Sequence, residues 1–91
     1  MAKREISWKR RTESGERQEM YVRHVAGEWI FYARAGRYEQ WRILDDPPLA
    51  DWMELLDAVS RRTVRQLLRP EEEAYLKKII RERFPDAALP T

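Results

Sequence analysis

Glu19-Met20-Tyr21-Val22-Arg23-His24-Val25-Ala26-Gly27-Glu28-Trp29-Ile30-Phe31-Tyr32-Ala33-Arg34 is the stretch whose reading decides the fold. Two runs rich in β-branched and aromatic residues flank Ala26-Gly27, a turn signal, so the segment reads as a tight hairpin. A two-residue loop there sets Val22 opposite Phe31, Met20 opposite Ala33, Tyr21 opposite Tyr32 and Glu19 opposite Arg34. Because successive side chains on a strand point to opposite faces, this register sorts them cleanly. Met20, Val22, His24, Trp29, Phe31 and Ala33 take one face; Tyr21, Arg23, Val25, Ile30, Tyr32 and Arg34 take the other. A slip of one residue would mix Arg23 with Phe31, which argues against it.

Outward from this hairpin, Gly36-Arg37 marks a second turn. Trp41 and Ile43 beyond it share a parity and join the apolar face if the loop near Gly36 has an odd length. Gln40, Arg42 and Leu44 then lie on the other side. Upstream, Glu5 to Arg11 carries Ile6 and Trp8 at alternate positions, and Thr12-Glu13-Ser14-Gly15-Glu16 reads as a turn, so a fourth strand is expected there. At Asp45-Asp46-Pro47-Pro48 the apolar period changes from two to three and four. Leu49, Trp52, Met53, Leu56 and Val59 fall on one helical face, with Asp46 as N-cap and Pro47 at the first helical position. The spacing of Thr63, Val64, Leu67 and Leu68 leaves open whether this helix runs on to Leu68 or breaks near Arg61. Pro70-Glu71-Glu72-Glu73 opens a second helix with acids at the positive end of its dipole. Its apolar stripe is Leu76, Ile79, Ile80 and Phe84; Arg81 and Arg83 suit its last turn, and Pro85 ends it.

The expected fold class is α+β: a three- to four-stranded antiparallel β-meander followed by two α-helices in a two-layer sandwich. Trp41 and Phe31 are expected to share the core with Trp52. The 91 residues make one domain, 1–91, with 1–4 and 86–91 loose. With 43% hydrophobic and 37% charged residues of mixed sign, the chain reads as globular rather than disordered. It has no cysteine, which excludes disulfides, thiolate metal sites and thiol nucleophiles, and points to a reducing compartment. The start lacks the apolar run of a signal peptide, and the longest apolar run, Trp29 to Ala33, is far too short to span a bilayer. The expected location is cytoplasmic. Net charge is only +2, but residues 1–42 carry a surplus of four positive charges and residues 43–91 a surplus of two negative ones. A basic first half suits an anionic partner.

No catalytic constellation is visible, so the chain is expected not to be an enzyme. There is one histidine, and no serine or threonine sits in a nucleophile-elbow or phosphate-loop pattern. His24 has core parity beside the turn and reads as a packing residue. Asp45-Asp46 and Glu71-Glu72-Glu73 read as helix-start chemistry rather than as ligands or paired acids. No metal and no small-molecule cofactor is implied. The candidate binding face is the outward one: Tyr21, Arg23, Tyr32, Arg34 and Arg42. Lys3-Arg4 and Lys9-Arg10-Arg11 form a basic N-terminal arm or a charged edge strand that discourages sheet-to-sheet association. Val64, Leu67 and Leu68 exceed what one small sheet can cover and suggest a homodimer. The leading expectation is a non-catalytic protein-binding or adaptor domain; the alternative is a nucleic-acid-binding module using the outer sheet face and the basic arm.

Overall fold

The computed structural model describes residues 6–36, 38–66 and 68–89. Four strands form one antiparallel sheet in sequence order: β1 (Ile6–Arg11), β2 (Arg17–Val25), β3 (Glu28–Arg34) and β4 (Arg42–Ile43). Two helices follow, α1 (Leu49–Val64) and α2 (Pro70–Arg83). The class is α+β, as the change of period implies. The chain divides into two compact units between Asp46 and Pro47, at the place where that change falls.

In the first unit the β2–β3 hairpin has the expected register: Val22 faces Phe31, Met20 faces Ala33, Tyr21 faces Tyr32 and Glu19 faces Arg34. Ala26 and Gly27 both have positive φ, 51° and 81°. Two consecutive left-handed residues make a type I′ turn, whose twist matches that of the strands it joins. The fourth strand also forms, with Ile6 opposite Val22 and Trp8 opposite Met20. Its turn closes by a Gly15 amide donating to the Thr12 carbonyl at 2.9 Å and a Thr12 amide donating to the Glu16 carbonyl at 2.8 Å. Gly15 takes φ 87°, as a turn-plus-bulge hairpin requires. Ile6, Met20, Val22, Trp29, Phe31 and Ala33 are buried on one face. Trp8 meets Phe31 edge-on at 6.3 Å, and His24 stacks on Trp29 at 4.0 Å, so the histidine packs as expected.

The last strand departs from expectation. Ile43 pairs with Tyr32 and Arg42 with Ala33. Directly paired residues share a face, so Ile43 lies on the tyrosine face and Arg42 has the parity of the buried one. The cause is loop length: an even number of residues separates Ala33 from Arg42, where the inward placing of Trp41 and Ile43 required an odd one. Ile43 is accordingly 58% exposed.

In the second unit α1 begins at Leu49 with Pro48 as N-cap, so Asp46 is not the cap and Pro47 is not helical. A residue that precedes proline is pushed out of the helical region, and Pro47 precedes Pro48. Trp52, Leu55, Leu56 and Val59 are buried along α1. The helix passes Arg61 and stops at Val64, where Gln66 turns left-handed at φ 62° and its amide donates to the Thr63 carbonyl. α2 starts at Pro70 as expected, buries Leu76 and Ile80, and ends where the Phe84 amide donates to the Ile80 carbonyl at 2.8 Å. Between the helices, the Ser60 hydroxyl donates to Glu73 at 2.6 Å, and the Arg83 guanidinium lies 5.1 Å from the Trp52 ring centre. After α2 the Ala87 amide donates to the Phe84 carbonyl, so part of the expected loose tail is a turn; residues 1–4, 90 and 91 lie outside the described residues. Among the described residues no helix is long and apolar enough to cross a membrane.

Candidate functional site

The alternation that buries Met20, Val22 and Phe31 turns Tyr21, Tyr32 and Arg34 to the opposite, outer face. Tyr21 and Tyr32 are direct cross-strand partners, and their rings stack at 4.6 Å with planes 8° apart. Trp41, in the loop before β4, meets Tyr21 edge-on at 4.6 Å. The Arg34 guanidinium lies 4.3 Å from the Trp41 ring centre, a cation–π distance. Arg34 also holds Glu19, its cross-strand partner, through contacts of 2.7 and 2.8 Å to one carboxylate oxygen. The result is a continuous chain of contacts, Tyr32–Tyr21–Trp41–Arg34–Glu19, in which each planar group orients the next.

Beside this cluster lies a groove of about 370 Å³ lined by Ser7, Trp8, Lys9, Glu19, Met20, Tyr21 and Trp41. Ser7 stands opposite Tyr21 on β1, and its short side chain leaves the space that a larger residue would fill. Lys9, Glu19 and Arg34 form the next row across three strands, alternating in sign. One row further, Arg11 stands opposite Arg17, and the Arg11 guanidinium donates to the Gly15 carbonyl at 3.2 Å.

Of the five residues expected on the binding face, the structure brings Tyr21, Tyr32 and Arg34 together. Arg23 shares their face but stands opposite Ile30, beyond the tyrosine row from Arg34. Arg42 does not belong, because its pairing with Ala33 gives it the other parity. Trp41 takes the place assigned to Arg42, and sequence reasoning missed it. The only signal that could have found it is the even loop, which nothing in the local pattern reveals. Among the described residues no three His, Cys, Asp or Glu side chains gather as a metal site. The arrangement offers flat apolar area, a preoriented guanidinium and a groove, which are means of recognition. No family model, no curated protein and no solved structure matches this chain.

Proposed function

We propose that the protein is a non-catalytic protein-binding domain and that the outer sheet face is its docking surface. The observation that carries this is the preassembled cluster of Tyr21, Tyr32, Trp41 and Arg34 beside an open groove. Tyrosine, tryptophan and arginine dominate the energetics of protein interfaces, since each brings a large contact area and a polar tip. Rings already held by one another lose little conformational entropy when a partner arrives. The same geometry favours protein over single-stranded nucleic acid. Base stacking uses open ring faces, and the Tyr21–Tyr32 stack occupies one face of each ring. Of the arginines expected on this face, Arg34 is engaged by Glu19 and Arg42 has the other parity.

The test is capture of partners from native lysate by the wild-type chain, with and without nuclease, beside Trp41→Ala and Tyr32→Ala proteins checked for folding by circular dichroism. Nuclease-resistant capture that both variants lose supports the reading. Capture abolished by nuclease moves the function to nucleic acid, and capture indifferent to both variants removes the outer face from it.

A further inference from the structure

Resting on the docking role proposed above, we infer that the partner presents an acidic, aromatic-bearing segment, whose carboxylates meet Lys9, Arg11 and Arg17 while an apolar side chain enters the groove at Tyr21 and Trp41. Arg11 and Arg17 are direct cross-strand partners, and both are exposed. Like charges placed opposite one another destabilise a sheet. Lys9, also exposed, follows on the same face at the groove's edge. The acid paired with Lys9 across this face is Glu19, whose carboxylate already binds Arg34 at 2.7 Å; Glu13 lies in the turn beyond the Arg11–Arg17 pair. Glu16 follows the parity opposite to Arg17. This end of the face is therefore positive, and it adjoins an aromatic-walled hollow.

That juxtaposition selects the partner's chemistry. Carboxylates on a flexible segment can reach three cations spread over two strands, and charge complementarity both steers the encounter and sets its register. The groove accepts a side chain against the Trp41 ring without needing the stacked face of Tyr21. A nucleic-acid strand would bring the same negative charge, and a base can lie on the Trp41 ring as a side chain can, so an oligonucleotide probe has to separate the two.

The experiment is fluorescence anisotropy of the full chain with four labelled probes. They are a short peptide of Trp and Phe interspersed with Asp and Glu, the same peptide with Gln for each acid, the same with Lys, and a short oligothymidine. The expected order is the acidic peptide first, at least about tenfold tighter than the glutamine peptide at low salt, with the advantage shrinking as salt rises. Arg17→Glu should abolish the preference for the acidic peptide. This variant should fold, because it replaces a repulsive pair with an attractive one across from Arg11. Trp41→Ala should weaken the acidic and the glutamine peptide alike. Equal binding of those two peptides, both dependent on Trp41, overturns the acidic partner and leaves the docking face standing. Oligothymidine binding tighter than the acidic peptide overturns it in favour of nucleic acid. If no peptide binds while lysate capture still depends on Trp41, the acidic partner alone is wrong; if neither occurs, both inferences fail.

Discussion

Ala26 carries a cost that the hairpin tolerates. It sits at φ 51°, in the left-handed region where a Cβ crowds the following carbonyl, at the turn position that asparagine and glycine favour. Ala26→Asn should therefore stabilise the protein by about 0.5–1 kcal/mol, read as a higher urea midpoint with an unchanged slope. Gly27→Ala should cost about 1–2 kcal/mol by the same measurement. A Cβ at Gly27 would meet nothing within 4 Å, so that loss is purely conformational. A gain at Gly27 or a loss at Ala26 would contradict the type I′ turn. The second residue-scale prediction concerns Trp41. A tryptophan in the buried core would cost about 3–5 kcal/mol on truncation. Trp41 instead lies half-buried on the outer face, held by Tyr21 and Arg34. Its loss to alanine should cost only about 1–2 kcal/mol, the worth of one aromatic pair and one cation–π contact. Phe31, 2% exposed, should show the full core penalty on Phe31→Ala. Equal urea midpoints for the two variants would place Trp41 in the core after all.

Among the elements, the two helices are joined by a polar contact that the apolar stripes do not reveal. Glu73 accepts from Ser60 at 2.6 Å and lies 3.6 Å from Lys77 one turn on, so one carboxylate serves both helices. A hydrogen bond to a charged group contributes about 1.5–3 kcal/mol when well buried. Here both partners are only partly buried, which lowers the value through competition with water. A double-mutant cycle of Ser60→Ala and Glu73→Ala should give a coupling of about 0.5–1.5 kcal/mol in urea unfolding. A coupling indistinguishable from zero would mean that the bond does not persist in solution. In the sheet, β1 is an edge strand, and Lys9, Arg10 and Arg11 along it are the kind of charge that blunts pairing with a second sheet. That protective role and the recognition role proposed for Lys9 and Arg11 are compatible, since one uses the strand's edge and the other its face.

At the scale of the whole molecule, the basic surplus seen in the sequence lies in the strands, while the two excess negative charges of residues 43–91 are Asp45 and Asp46, which end the first unit and leave residues 47–91 with no net charge. The homodimer suggested by Val64, Leu67 and Leu68 has less to rest on. Val64 is 83% exposed, Leu68 is half-buried, and Leu67 lies outside the described residues. One open valine is far from the roughly 800 Å² that each partner contributes to a stable interface. Sedimentation velocity at micromolar concentration is therefore expected to give a monomer; a dimer that Val64→Glu dissociates would reinstate the interface. The sequence by itself determined the β2–β3 register, the presence of β1, the start of α2 and the meeting of Tyr21, Tyr32 and Arg34 on one face. Those follow from alternation, turn residues and proline, which act between near neighbours and leave one arrangement that separates apolar from charged side chains. Only the tertiary structure decided where α1 begins and ends and on which face Trp41, Arg42 and Ile43 fall. Pro48 can serve as the cap or as the first helical residue until the backbone chooses, and the side chosen after a long loop depends on its parity. That parity is settled by contacts between residues far apart in sequence: Tyr32 with Ile43 across the ladder, and Trp41 with both Tyr21 and Arg34.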